Sequence, residues 1–117
     1  MASLDEIFLS ESTNGRPIKI TATASAGTTV HTAVAGTTDH DRVFLYLTNV
    51  SAAAGETTVE FGGTTNPDDR IVTTIASKVG PVLVSPGFPL QNGLAVKVFA
   101  GSANVIMATG YVHRVDK

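Results

Sequence analysis

From residue 18 onward the chain is cut, roughly every ten residues, into short runs rich in Val, Ile, Thr and Leu, separated by Gly, Pro, Asn, Asp and Ser. β-Branched side chains lose χ1 freedom in a helix and fit a pleated surface, and no run between the turns carries a helical period. The spacing predicts strands over 18–24, 28–35, 42–49, 57–61, 70–75, 81–84, 94–99 and 105–113, with turn-forming connections between them. Evenly spaced short strands with Gly- and Pro-rich turns are the pattern of a sandwich or barrel, and the expected fold is an all-β, antiparallel β-sandwich, jelly-roll-like or Ig-like, of about eight strands. At 117 residues the chain makes one such domain, able to bury roughly 65% of the surface its unfolded form exposes.

Residues 1–17 read differently, as an extended N-terminal arm preceding a sandwich domain over 18–117. A cluster of apolar residues (Leu4, Ile7, Phe8, Leu9) is followed by the polar, turn-prone run 10–16. The turn-prone run favours a loosely attached terminus, while Ile7, Phe8 and Leu9, each gaining about 1.5–3 kcal/mol if burial is available, keep open an arm that docks on this chain or on a neighbour.

Period-two alternation assigns faces. Ile18, Ile20, Val30, Val34, Val59, Phe61, Leu94, Val96 and Val98 point to the core, and Lys19, His31, Glu60 and Lys97 to water. Two runs break the alternation, Val43 to Leu47 and Val105 to Ala108, and imply strands covered on both sides. A subunit interface over Phe44 and Tyr46, joined by Phe99 and Leu83, would cover the second side; the arm or a long loop of the same chain would do so equally. The proline-stiffened loop 85–93 (SPGFPLQNG) presents Phe88 either as a shaped contact tip or as a plug in the end of the sandwich.

Charge narrows the function. Only 15% of residues are charged, the net charge is −2, and Lys and Arg form no run, which argues against nucleic-acid binding. No stretch approaches the ~20 apolar residues of a membrane span, and the first residues carry acids where a secretory signal carries bases, so no membrane partner and a cytosolic site of synthesis are expected. The absence of cysteine removes disulfides, thiolate metal sites and thiol nucleophiles. A neutral, hydroxyl-rich surface costs little to desolvate and suits contact with protein.

A search for chemistry returns little. Asp39, His40 and Asp41 form the densest titratable group, but neighbours on an extended chain point opposite ways, and the segment reads as a solvated turn whose acids bond local amides. His31 and His113 lie far apart in sequence without metal-ligand spacing. Asn66, Asp68 and Asp69 lack the alternation and closing Glu of a calcium loop. No nucleophile elbow, dinucleotide fingerprint or P-loop is present. The chain is therefore expected to be no enzyme and to hold no cofactor or metal. Its expected working residues are protein contacts: Ile7, Phe8, Leu9, Phe44, Tyr46, Phe88 and Phe99.

The stretches DRVFLYLTN (41–49), TVEFGG (58–63), GPVLVSPGFPL (80–90) and ATGYVHR (108–114) make the segment 28–114 similar to small virion proteins of tailed bacteriophages. Within them it resembles β-sandwich decoration, or cement, proteins of the head. The resemblance implies a virion protein assembled in the host cytoplasm, homo-oligomeric and commonly trimeric, whose partner is the major capsid protein or another virion protein. It would stabilise the shell from outside. A neck or tail component is the alternative within that class, and a carbohydrate-binding or host-adhesion sandwich the alternative outside it.

Overall fold

The structure, a computed structural model, describes residues 3–117. Met1 and Ala2, part of the segment read as an arm, lie outside the described residues. Among the described residues there is no helix, and nine strands form two antiparallel sheets packed face to face, a β-sandwich. The strands are β1 (Ser3–Phe8), β2 (Ile18–Lys19), β3 (Thr28–Thr32), β4 (His40–Asn49), β5 (Gly55–Phe61), β6 (Arg70–Ile75), β7 (Val82–Leu90), β8 (Ala95–Ala100) and β9 (Ile106–Asp116). The first sheet runs β1-β9-β4-β7, with β2 also pairing β9, and the second runs β3-β8-β5-β6.

The core is the aliphatic filling between the sheets. Val43, Leu45 and Leu47 of β4 and Ile106, Ala108 and Val112 of β9 face Val30, Val59, Ile75, Val96 and Val98 of the second sheet, all without solvent contact. Both strands expected to be covered on two sides in fact alternate. In β4, Val43, Leu45 and Leu47 are buried, while Phe44 and Tyr46 between them are half-buried on the outer surface. The outer aromatics shield one another along the sheet, which produced a continuous apolar run in the sequence without a second covering layer.

Further expectations change. Residues 3–8 form the outer strand of the first sheet, Leu4 pairing with Val115 and Phe8 with Tyr111. Leu9 then turns into the core at 2% exposure, so it is a packing residue and not a contact for a partner. The stretch 85–90 is strand, not loop: Pro86 and Pro89 sit on β7, an outer strand, where a missing N–H breaks no ladder. The predicted strand 18–24 shrinks to Ile18–Lys19. His31 and Glu60, assigned to water by alternation, are fully buried. A register shift between Thr29 and His31 turns the imidazole inward. Glu60 lies under the loop 20–27, accepting hydrogen bonds from Ser25 Oγ (2.6 Å) and the Gly27 amide (2.7 Å).

One glycine is required by the central pairing. Gly110 has φ +151°, and a Cβ there would overlap the Phe44 carbonyl of the adjacent strand. Gly110→Ala should therefore lower stability by about 1–3 kcal/mol, the usual cost of an overpacked site, read as a lower urea midpoint at unchanged slope.

Candidate functional site

The long ladder between β4 and β9 builds two things, one on each side of the first sheet. On the inner side, near the end of β4, lies a polar cluster. Asp41 is fully buried and accepts hydrogen bonds from Arg114 Nε (2.7 Å) and Nη2 (2.9 Å), from the Val34 amide (3.1 Å) and from His31 Nε2 (2.8 Å). The Ser10 amide donates to His31 Nδ1 (3.0 Å), which fixes the ring hydrogen on Nε2. Burial pushes Asp41 up, but the hydrogen bonds from Arg114 and His31 and the charge of Arg114 outweigh it, and the carboxyl is held below the ordinary aspartate value. The hydrogen bond from Arg114 in turn raises the guanidinium above its own.

This corrects the reading of the 37–41 segment as a solvated turn. Alternation sends His40 to an open cleft and Asp41 inward, so the two do not act together. The serine, histidine and aspartate beside one another are not arranged as a nucleophilic triad. The imidazole nitrogen that would face a nucleophile is occupied by the Ser10 backbone amide, and Ser10 Oγ accepts from the Thr32 amide (2.8 Å). The cluster instead joins four segments across both sheets: the turn after β1, β3, β4 and β9. Sequence reasoning missed it because its members lie 10 and 73 positions from Asp41.

On the outer side the register aligns a row of apolar side chains across all four main strands. Phe8 of β1 is paired with Tyr111 of β9, Tyr111 with Phe44 of β4, and Phe44 with Pro86 of β7. The Phe44 and Tyr111 rings stack at 4.8 Å and 15°, and the Gly15 turn lies against the Phe8 ring. The next row is Thr109, Tyr46 and Leu83, beside a shallow hollow of about 570 Å³ that also takes in Pro81. Neither row holds a charged residue. Ionisable groups stand one row beyond on either side: Glu6 bonded to His113 (3.1 Å) and Arg42 past the first row, and Lys19, paired with Met107, past the second. Partial burial, and then Tyr46, push the Tyr111 phenol above its ordinary value, so its hydroxyl stays protonated around neutrality. Phe8 (62% exposed) and Leu83 (45%) project from it into solvent.

Of the contact residues expected from sequence, Phe8, Phe44 and Tyr46 share this face. Ile7 points inward and packs against the core. Phe88 lies on the flank of the sandwich, edge-on to Phe61 at 6.1 Å, and Phe99 lies on the outer side of the second sheet beneath Arg70 (5.3 Å). Tyr111 belongs to the face and escaped prediction, since only the β4–β9 register reveals it. A second cleft, of about 610 Å³, opens at the end of the sandwich between His40, Arg42, Pro89, Leu90 and Leu94. Among the described residues no group of three or more His, Asp or Glu is placed to hold a metal ion. No protein-family model matches the chain, and neither does any curated protein or solved structure.

The acid limb of stability tests the inner cluster. Because the folded-state value of Asp41 is depressed, its contribution is complete above the ordinary aspartate value of 3.8 and is lost as pH falls through the lower folded value. Asp41→Asn should cost roughly 3 kcal/mol at neutral pH, since Arg114 and His31 lose their charged acceptor, and should remove part of the stability loss seen below about pH 4. Urea midpoints of both proteins measured against pH read the two effects.

Proposed function

We propose that this chain is a structural subunit without enzymatic activity, a bacteriophage virion protein that decorates the outside of the capsid and strengthens the shell by adhesion. The observation that carries the adhesive reading is the charge-free aromatic face of the first sheet. Aromatic side chains without charge at the centre of a patch, with polar and ionisable groups around its rim, are the composition of a protein interface. A contiguous apolar surface left to water on a lone subunit marks a site of association. The assignment to a phage head rests on the resemblance of segment 28–114 to decoration proteins.

The mechanism follows from linkage. A subunit that binds across joints present only in the expanded shell adds its contact free energy to that state alone and so favours it. Individual contacts can be modest, because many copies acting on one shell add their contributions. A flat sheet face suits this role: its side chains are positioned by the ladder beneath them, so little ordering entropy is lost on docking.

The N-terminal segment is a poor target for deletion, because β1 and the turn after it supply Leu9 to the core and Ser10 to the buried cluster. The informative changes are Phe8→Ser and Leu83→Ser, both on exposed positions of the outer face. Each should weaken cosedimentation with expanded shells by about tenfold, at unchanged urea midpoint. Binding should also be insensitive to added salt, as an uncharged contact requires. Unaltered binding by both variants would remove the face from the interaction.

A further inference from the structure

A sandwich has four outer strand edges, each a row of unpaired backbone donors and acceptors able to recruit another strand. Three are guarded here, each by a different device. β7 carries Pro86 and Pro89. β3 is covered by the turn after β1, the Glu11 amide donating to Val30 O (3.3 Å) and the Thr32 amide to Ser10 Oγ (2.8 Å). β1 places the adjacent acids Asp5 and Glu6 at its centre. Among the described residues β6 has no such guard. Its one strand neighbour is β5, and its interior, Ile71 to Ile75, contains no charge, proline or glycine.

The sequence of that edge is its own complement. Ile71, Val72, Thr73, Thr74 and Ile75 read nearly the same in both directions. Antiparallel pairing with a second copy about Thr73 sets Ile71 opposite Ile75, Val72 opposite Thr74, and Thr73 opposite its equivalent. These are the β-branched and Thr–Thr pairs that stabilise a ladder. Arg70, the strand's only charge, falls opposite Ala76 and so does not face itself. The faces also agree. Ile71, Thr73 and Ile75 lie opposite Val59, Thr57 and Gly55 of β5 on the core side, while Val72 (55% exposed) and Thr74 face outward.

We infer that two copies of this chain join through β6, antiparallel and centred on Thr73, so that the two second sheets become one continuous eight-stranded sheet about a twofold axis. The contact is isologous, with the same patch used on both copies, and it leaves the aromatic face of the first sheet free. It departs from the threefold arrangement that the resemblance implies, and it does not depend on the identity of the shell partner.

Outward positions 72 and 74 test both the joint and its register without touching the core. V72K/T74K places like charges opposite each other on both sides of the axis. V72E/T74K places opposite charges there instead. Light scattering of the wild type should give twice the 12.1 kDa chain mass at high concentration, falling toward one chain on dilution. V72K/T74K should weaken association by about tenfold or more, and V72E/T74K should associate at least as well as the wild type. Urea midpoints taken on dilute samples establish that both variants fold. A wild type that stays a single chain at every concentration, a trimer, or equal behaviour of the two variants would overturn the proposal.

Discussion

The ten-position ladder between β4 and β9 is the constraint from which the rest of the molecule follows. It runs from His40 opposite Val115 to Asn49 opposite Ile106, and it fixes which side chains of both strands share a face. Inward, it supplies half of the core. Outward, it stacks Phe44 on Tyr111. Near its first end, Asp41 lies opposite Arg114, and the carboxylate there gathers the turn after β1 and strand β3. A slip of one position would exchange the two faces, putting aromatic rings in the core and aliphatic side chains in water. Gly110 permits the close backbone approach at Phe44 that holds this register.

The buried polar groups divide the work of specifying the fold. Asp41 and Glu60 are both completely desolvated, and each is surrounded by donors. Neither adds much to stability compared with an apolar filling, but either left without partners would be costly, and that asymmetry discriminates against alternative arrangements of the loops. Glu60 fixes the 20–27 connection against the second sheet, and Asp41 fixes the chain after β1 against both sheets. Asn49 does the same at the far end of β4, donating to the carbonyls of Ala53 and Ile75. The outer strands and connections are thereby tied to a core that is otherwise non-directional aliphatic packing.

Much of this was legible in the residues. The β class, the positions of the strands over 42–49, 57–61, 70–75, 94–99 and 105–113, and the inward set Val30, Val59, Val96 and Val98 follow from turn chemistry and alternation. The misreadings have a common cause, in that a local pattern cannot report what a distant segment does. The first residues read as an arm because a short apolar cluster is followed by the turn-prone run 10–16, and only pairing with β9 makes β1 the outer edge of a sheet. Pro86 and Pro89 suggested a loop because the edge position of β7, where proline is harmless, is a property of the sheet order. His31 and Glu60 looked like solvent-facing residues until a bulge and an overlying loop enclosed them. Of the apolar residues singled out in the sequence, Phe8, Phe44 and Tyr46 share the outer side of the first sheet, whereas Leu9, Phe88 and Phe99 lie in the core, on the flank and on the opposite sheet.

The proposed adhesive role comes down to whether the outer side of the first sheet meets another protein in the assembled particle. Imaging expanded shells with and without this protein, at a resolution that separates strands, is the most direct measurement. The expected result is added density in which Phe8, Tyr111, Phe44 and Leu83 abut the shell. Density that leaves this side of the sandwich facing solvent, or particles to which the folded protein adds none, would contradict it.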